Sequence, residues 1–506
     1  MTNETDTNAP AGAPNAPGAV APGLSTSEIR TATASRHRLA LGLLLAAVFV
    51  VFLNETVMSV AIPSIQNDLE VLPSQGQWLT TAFALTMAVV IPITGWLLQR
   101  LNTRPVFVAA MSLFVLGTLI AAVSPSFEVL LLGRVVQASG TAIMMPLMMT
   151  TILTVVPLNE RGRFMGRISI VMSLAPAIGP TISGLLLQIM PWRGLFWVML
   201  PIAAVVLLIG ALRVPNVSEP RKAPLDVLSV FLSAIAFSGV VYGLSSIGEV
   251  AQGAALVQPW VPLVVGIVFL GLFITRQILL QKRDASLLDL RTFKSRTFSL
   301  SIAMLAIGMI SLFGMIILLP SYIQYGLRLE PAVIGLTLLP GGLLMGLLGP
   351  LVGRLLDKFG PRPLVIPASI LISGVFWALT LLTEETPIWV VVALHIGLSL
   401  GMAFMFTPLF TTGLGALPRH LYSHGSATVA TIQQVAGAAG TAMFVAFFSI
   451  GLAAAGAVGE AKLASPSQIA DGVHLAFTAG AIVTLLVIVL SFFIRREDAP
   501  EDAPAP

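Results

Sequence analysis

Two charged residues stand inside apolar stretches of this sequence. Glu55 lies in FLNETVMSVAIP, residues 52–63, and Arg134 lies in LLLGRVVQASGTA, residues 130–142. A charge at the centre of an apolar membrane segment costs about 2.5–3.5 kcal/mol even on insertion scales, so it must face protein or water. A carboxylate can take up and release a proton, whereas an arginine stays charged. The two residues therefore have the chemistry of a proton-exchange group with a fixed counter-charge.

The composition places these charges in a membrane protein. The chain has 506 residues, of which 56% are hydrophobic and 10% charged, with a mean hydropathy of +0.94, whereas soluble domains are about a quarter charged. Fourteen apolar segments are long enough to cross a bilayer as helices. There are no cysteines, the five histidines lack ligand spacing, and no Gly-rich phosphate loop occurs. We therefore predict no cofactor, metal or enzymatic activity, and no binding of nucleic acid.

The basic residues orient these spans. An even number of spans puts both termini on one side, and that side carries 23 of the 27 Lys and Arg residues against 3 on the other. This bias predicts a multi-pass protein of the cell membrane with both termini in the cytoplasm. The predicted units are a disordered cytoplasmic tail (1–38), an N-terminal six-helix half (39–212), a linker with two extra transmembrane helices (213–297), a C-terminal six-helix half (298–494) and a second tail (495–506).

One loop sequence occurs twice. GWLLQRLNTRP, residues 95–105, and GRLLDKFGPRP, residues 353–363, are offset by 258 residues, which indicates two parallel repeats. The second copy resembles the loop motif of the major facilitator superfamily, in which the acid helps to hold the cytoplasmic side closed. The first copy departs from it, with Gln99 at the acidic position and Asn102 at a glycine. The alternative is a basic turn that only sets topology. The matching residues are Gly95, Arg100, Arg104, Gly353, Asp357 and Arg362.

Two further segments carry the same resemblance. Arg134, Gln137 and Gly140 match a motif of the fourth span, and the fifth span, LAPAIGPTISG, resembles the antiporter motif of this superfamily. Prolines kink a helix and glycines allow close helix packing. For Arg134 the alternative is a structural tether to backbone carbonyls, and for the fifth span it is ordinary small-residue packing. The antiporter motif residues are Pro176, Gly179, Pro180 and Gly184.

Together these motifs resemble the fourteen-span drug:proton antiporters. The resemblance implies an all-α fold with two six-helix halves plus two extra central helices, and a proton-coupled exporter of amphipathic drugs. Its expected partners are small-molecule drugs, protons and the lipid bilayer, and the protein is expected to act as a monomer. The alternatives are export of a native lipid, peptide or metabolite and, in another class, a non-transporting membrane sensor.

Glu55 is the leading proton-coupling residue because the other acids fall in loops, span ends or tails, and the alternative is a structural acid paired with Arg134. Counted from Pro63 and Phe127, Glu55 and Arg134 lie about 12 Å and about 10 Å from the outer edge, at similar depth. Many relatives carry an aspartate at the position of Asn54, so the acid here is displaced by one residue, about 100° around the helix. The LNET variant resembles the lincomycin-efflux subgroup, which implies lincosamide-like substrates.

Polar and soft side chains near these charges are candidates for the substrate cavity. The glutamines could instead make interhelical hydrogen bonds, and the methionines could simply pack in the core. The predicted cavity residues are Asn54, Thr56, Gln137, Met144, Gln433 and Gln434.

Overall fold

The computed structural model describes residues 26–157, 160–217, 220, 224–251, 257–457 and 464–495. Within these ranges the chain forms fourteen helices that are long and apolar enough to span a membrane. This number agrees with the sequence prediction. The helices are α1 Thr26–Asp68, α2 Pro73–Arg100, α3 Thr103–Ala122, α4 Phe127–Val155, α5 Arg161–Leu186, α6 Arg193–Arg213, α7 Val227–Ala251, α8 Trp260–Gln281, α9 Arg296–Ser321, α10 Pro331–Phe359, α11 Arg362–Leu379, α12 Ile388–Gly415, α13 Tyr422–Ala454 and α14 Pro466–Ser491.

The first helix is longer than its apolar segment. It begins at Thr26, so residues 26–38 of the predicted disordered tail are helical. This stretch contains several Ala and Arg residues, which have high helix propensity, and it continues directly from the apolar segment. Residues 1–25 and 496–506 of the two predicted tails lie outside the described residues.

The internal repeat is visible in the helices. α2 begins at Pro73 and α10 at Pro331, 258 residues apart, which is the offset of the two loop copies. The turns that follow differ, because Gly360 has φ +77° whereas the equivalent Asn102 has φ −65°. A left-handed residue strongly favours glycine. The departure at Asn102 therefore reflects a different turn after α2.

Glycines bring the two halves together along α5 and α10, which pack extensively against each other. A methyl group on Gly353 would lie 2.1 Å from the carbonyl oxygen of Gly162, and one on Gly349 would lie 2.2 Å from that of Gly166. These backbones touch because neither helix carries a side chain at the contact. Asp357 then closes the end of this seam by accepting the backbone N–H groups of Gly162 and Arg163 at 3.1 Å each.

We call the end of the bundle that carries Arg100, Arg161, Lys358 and Arg419 the basic face. Further hydrogen bonds join the two halves there and close this face. They run from Gln99 Nε2 to His420 O at 3.2 Å, from Arg161 Nη2 to Tyr422 Oη at 3.2 Å, and from Thr150 Oγ1 to Ser426 Oγ at 3.2 Å.

The remaining basic residues of the two loop motifs lie at the edges of this face. Arg362 donates to the carbonyl oxygen of Phe492, just after α14. The backbone N–H of Arg104 donates to Asn216 Oδ1 at 3.1 Å, and the side chains of Arg100 and Arg104 are exposed.

The two extra helices form a hairpin. α7 and α8 meet at Gly239, Gly243 and Gly266, where a methyl group on Gly239 would lie 2.7 Å from Gly266 Cα. α7 also packs on α2 and α13, one helix from each half, whereas α8 buries few residues and exposes a broad apolar surface, as expected in lipid. At the basic face Arg276 binds both carboxylate oxygens of Asp226 at 2.6 Å and holds the pKa of that carboxyl down at about 2.

Two glycine substitutions in α10 test the seam. Gly353→Ala would press a methyl group against the Gly162 backbone, so we expect it to destabilise the closed basic face by about 1–3 kcal/mol. Thermal unfolding of the purified protein should show a lower Tm. Gly335→Ala is the matched control, because a methyl group there meets nothing within 4 Å. An equal Tm for the two variants would contradict the close contact.

Candidate functional site

Arg134 lies fully enclosed in the N-terminal half, with 1% exposure. Its Nη1 donates to Gln137 Oε1 at 2.5 Å and its Nε to the carbonyl oxygen of Leu79 in α2 at 3.5 Å, while the guanidinium lies 4.1 Å from the centre of the Phe83 ring. Gln137 in turn donates to Thr118 Oγ1 in α3 at 2.8 Å. The guanidinium is therefore a fixed positive charge whose position is set by three helices.

Glu55 of α1 and Arg134 of α4 lie on helices that pack against each other. The hydrogen bonds of the arginine go to Gln137 and Leu79, so no direct hydrogen bond of Arg134 to Glu55 is present among the described residues. Glu55 is partly exposed, whereas its neighbour Asn54 is only 2% exposed and its Nδ2 has no hydrogen-bond partner in the described part of the chain. The acid of the common family pattern stands at the position of Asn54, on the enclosed face of α1. In this chain the acid is one residue later, at Glu55, and lies on an accessible face of the helix.

The residues that follow Glu55 bind α5. Thr56 Oγ1 lies 3.0 Å from the carbonyl oxygen of Leu53 in its own helix and 3.3 Å from that of Ala175 in α5. A methyl group on Gly179 would lie 2.1 Å from the same hydroxyl oxygen. Ser183 Oγ donates to the carbonyl oxygen of Val57 at 2.9 Å. The helix with the predicted antiporter motif therefore packs directly on the turn of α1 that carries Glu55.

The other motif residues of α5 differ from Gly179. A methyl group on Gly184 would meet nothing within 4 Å, so this glycine makes no close helix contact in the structure. Pro180 is exposed, and the side chain of Pro176 lies outside the described residues. α5 continues as one helix through all four positions.

The predicted cavity residues separate into two groups. Gln137 and Met144 are fully buried, with 0% and 1% exposure, so neither side chain is offered to a ligand in this conformation. Gln433 and Gln434 are partly exposed on α13. Gln434 Nε2 donates across the halves to the carbonyl oxygen of Ala84 in α2 at 3.3 Å, and Gln433 Nε2 lies 3.8 Å from Met309 Sδ.

A clamp at the far end of α1 was not anticipated from the sequence. Asp68 accepts Trp192 Nε1 at 2.9 Å and Arg193 Nη1 at 2.6 Å, and these two hydrogen bonds lower the pKa of the Asp68 carboxyl. Arg193 Nε also donates to the carbonyl oxygen of Ser124 at 3.0 Å. The cluster ties α1 to α6 and to the α3–α4 turn. Asp68 and the Trp192-Arg193 pair lie far apart in the sequence, and no local sequence pattern links them.

Comparisons with known proteins agree with this architecture. The sequence model of the Major Facilitator Superfamily matches residues 44–441 of this chain. The chain belongs to the major facilitator superfamily. It is 40% identical to the uncharacterized MFS-type transporter YcnB of Bacillus subtilis, over 92% of this chain and 96% of that protein. It is 41% identical to the lincomycin resistance protein LmrB of Listeria monocytogenes, over 89% of this chain and 95% of that protein.

A solved structure shares the fold. The human organic anion transporter MFSD10 superposes with a TM-score of 0.63 at 15% identity, over 90% of this chain and 99% of that chain. The chain is thus a multi-pass membrane transporter of the major facilitator superfamily, and its relatives are transporters rather than enzymes. The family and fold predictions are confirmed, and the predicted alternative of a non-transporting sensor has no support among these relatives.

Two glycines of α5 provide a test of its contact with α1. Gly179→Ala would place a methyl group against Thr56, and we expect lower stability and weaker transport because α1 must move away from α5. Gly184→Ala should be nearly neutral, since its methyl group would meet open space. Tm and transport rate measured side by side check this difference. Equal losses in both variants would mean that helix propensity rather than packing governs these positions.

Arg134→Lys tests the geometry of the enclosed cation. Lysine keeps the charge but lacks the planar fork that reaches both Gln137 and Leu79. We expect a loss of about 1–3 kcal/mol of stability because a buried acceptor loses its partner, seen as a lower Tm. Arg213→Lys, at an exposed site at the end of α6, should stay within about 0.5 kcal/mol. An unchanged Tm for Arg134→Lys would contradict the assigned hydrogen bonds.

Proposed function

We propose that this transporter is a proton-coupled exporter of amphipathic drugs, including lincosamide-like compounds. We further propose that it acts as a monomer in the cell membrane with both termini in the cytoplasm. The observation that carries this proposal is Glu55, a partly exposed acid inside a span, on a helix that packs against the helix of the enclosed Arg134. Intramembrane acids of this kind are typical of proton relays in transporters.

The two charges suit an exchange of proton and substrate. Arg134 is fixed by Gln137 and Leu79, so it offers Glu55 an immobile positive charge without a direct hydrogen bond. Deprotonated Glu55 would attract a cationic or polar drug from the cytoplasmic side, and its protonation from outside would release that drug. One proton entering in exchange for a neutral drug gains about 2.3 kcal/mol per 100 mV of membrane potential.

A continuous set of contacts leads from Glu55 to the closed basic face. The neighbouring residues Thr56 and Val57 bind α5 at Gly179 and Ser183. The other end of α5 forms the glycine seam with α10 that Asp357 closes. A change of charge at Glu55 that shifts α1 would therefore act on the helix that holds the two halves together. This is the route by which we propose that protonation favours one orientation of the transporter.

The substrate class rests on similarity to a relative named for lincomycin resistance. The partly exposed amides of Gln433 and Gln434 supply a few polar groups within an apolar bundle. Such a combination suits amphipathic molecules. The same groups would also suit a native lipid, peptide or metabolite, so competition between these and drugs decides which is the main substrate.

Glu55→Gln should abolish export driven by a pH gradient and leave the protein folded. Glutamine is close to glutamate in size and shape but cannot take up or release a proton. The measurement is uptake of a lincosamide into inside-out proteoliposomes with an imposed pH gradient, compared with protein-free liposomes, together with drug-for-drug counterflow without a gradient. We expect at least about a hundredfold loss of the driven uptake, the scale on which removing a proton-transfer group acts, and retained counterflow.

Glu128→Gln is the matched control. Glu128 lies exposed in the first turn of α4, at the end opposite the basic face. Its variant should transport like the unmodified protein in both assays. Full gradient-driven uptake by Glu55→Gln would overturn the coupling role, and a failure of every drug in the panel with success of a lipid or peptide would overturn the substrate class.

A further inference from the structure

His395 occupies the position in the second repeat that Arg134 occupies in the first. α4 begins at Phe127 and α12 at Ile388, 261 residues later. Arg134 is the eighth residue of α4, and His395 is the eighth residue of α12. The fixed cation of the N-terminal half therefore has a histidine as its counterpart in the C-terminal half.

Glycine contacts on the neighbouring helices support this alignment. A methyl group on Gly140 of α4 would lie 2.3 Å from the carbonyl oxygen of Ala110 in α3. Gly401 of α12 follows Gly140 by 261 residues, and a methyl group there would lie 3.3 Å from the carbonyl oxygen of Ala368 in α11. Ala368 follows Ala110 by 258 residues, so the same two surfaces meet in each half.

The two side chains also meet the equivalent part of a neighbouring helix. The Arg134 guanidinium lies 4.1 Å from the centre of the Phe83 ring in α2. The residue 258 positions after Phe83 is Gly341 of α10, where a methyl group would lie 2.5 Å from Cδ2 of His395. The imidazole thus takes the space that a side chain of α10 would need, and the ring and this helix are in direct contact.

The hydrogen bond of His395 determines which ring nitrogen carries hydrogen. Its Nε2 lies 3.2 Å from the carbonyl oxygen of Leu338 in α10. Because a carbonyl only accepts, Nε2 carries the hydrogen of the neutral ring and Nδ1 keeps a free lone pair. Nδ1 is buried and has no hydrogen-bond partner in the described part of the chain. Unlike the guanidinium of Arg134, this ring can therefore change its charge by taking up a proton at Nδ1.

The pocket around His395 lacks the polar groups that hold the cation of the first repeat. The residues equivalent to Gln137 and Thr118 are Leu398 and Phe376, with 1% and 0% exposure. His395 is itself only 9% exposed and takes part in no ion pair of the described residues. A charge in such a pocket would be buried without a partner, which is costly. The ring is therefore neutral in this conformation.

Charged side chains lie far from His395. The helices that pack on α12 are α5, α9, α10, α11 and α13, and His395 lies 20 residues, about 30 Å, from the end of α12 at the basic face. The loops at the opposite end, which carry Arg328, Glu330, Glu384 and Glu385, lie about 10 Å or more from it along the helices. The titratable and charged residues of the packed helices all lie toward the basic face and are Arg161, Arg163, Arg167, Arg296, Arg354, Asp357, Lys358, Arg362, Tyr422 and His424. A charge on His395 would thus act on helix packing rather than on a neighbouring ion.

α10 can bend where it meets His395. Pro340 directly precedes two glycines of this helix, and proline removes a helix hydrogen bond while glycine loosens the backbone. Toward its other end α10 carries the glycine seam with α5 and Asp357, which closes that seam. Loss of the His395 contact at this bend would therefore affect the helix that holds the basic face closed.

We propose that His395 is a second proton-binding site of this transporter, and that its neutral ring stabilises the conformation with a closed basic face. A proton taken from water onto Nδ1 would leave a charge buried without a partner, so protonation favours separation of α10 from α12 and opening of the basic face. This inference rests on the proposed proton coupling for its place in the transport cycle. It adds a proton-sensitive group in the half that lacks Glu55.

Protonation of the ring is measured by NMR of the purified protein with isotope-labelled histidine. The signal of His395 is the one lost in His395→Gln, whose amide can still donate to the Leu338 carbonyl. We expect a neutral ring with hydrogen on Nε2 near pH 8 and growth of an imidazolium signal as the pH falls to about 5, the range in which imidazoles change charge. A ring that stays neutral throughout this range would overturn the proposal.

A second variant identifies the signal if His395→Gln fails to fold. Gly341→Ala would press a methyl group against the ring and should shift the same signal, because the methyl group would lie 2.5 Å from Cδ2. Gly335→Ala, where a methyl group meets nothing within 4 Å, should leave it unchanged. Equal spectra of the two alanine variants would contradict the contact between the ring and α10.

Spin labels at the basic face test the effect on closure. The natural chain contains no cysteine, so labels can be attached through Arg100→Cys and Lys358→Cys, which are exposed and equivalent positions of the two halves. The distance distribution is measured without drug or gradient in the Glu55→Gln variant, in which this acid cannot titrate. We expect the ratio of open to closed protein to rise by about fivefold or more between pH 8 and pH 5, the lower range of an allosteric coupling.

Adding His395→Gln should remove this rise. His474→Asn is the matched control, since His474 is an exposed histidine whose Nδ1 lies 2.6 Å from the carbonyl oxygen of Thr380, and it should leave the rise intact. A rise that persists without His395 would assign the effect to the histidines at the start of α13 and would overturn the proposal. Because Glu55 is removed here and no drug is used, this outcome is separate from the driven uptake that tests the proposed function.

Discussion

The high free-energy cost of placing a charge in the hydrocarbon core of a membrane constrains how the helices of this protein pack. Arg134 can be kept in the membrane only because Gln137, Leu79 and Phe83 surround its guanidinium with hydrogen-bond acceptors and an aromatic face. This enclosure occupies side chains of α2 and α4 and, through Thr118, of α3. The N-terminal half is thus organised around one immobile cation, and we propose that Glu55 is the group whose charge varies.

Around this centre the helices are joined by two kinds of contact. Glycine seams bring backbones together, as between α5 and α10, and leave few side chains to resist sliding. Polar contacts between a side chain and a helix end then fix the closed position, as Asp357 does for α5. Helices that can slide past each other with little resistance, but that are fixed in one position by a specific contact, have two preferred arrangements. Transporters that alternate between two orientations need such a pair of arrangements.

The sequence was sufficient for the fold and for part of the site. Hydropathy predicted all fourteen spans, since every span is a continuous apolar run, and the repeated loop predicted the offset that α2 and α10 share. Arg134 and Glu55 stood out because charges in such runs are rare. The accessible face of α1 could not be predicted, because it depends on how α5 packs on Thr56, and that contact joins residues more than a hundred positions apart.

Other features required the structure for the same reason. Gly179 and Gly184 belong to one motif, yet only Gly179 is in close contact, since helix neighbours differ along α5. Gln137 was predicted to line the cavity, but its amide is used by Arg134 and Thr118. Local patterns identify spans and unusual charges, whereas partners of each charge follow from packing.

The central claim is that drug and proton compete through Glu55. Proton release on drug binding tests it most directly, measured with a pH-sensitive dye and purified protein in a weakly buffered solution. Our account predicts that a lincosamide-like drug releases protons from the unmodified protein and none from Glu55→Gln, although the drug still binds. Equal proton release from both proteins would contradict the account.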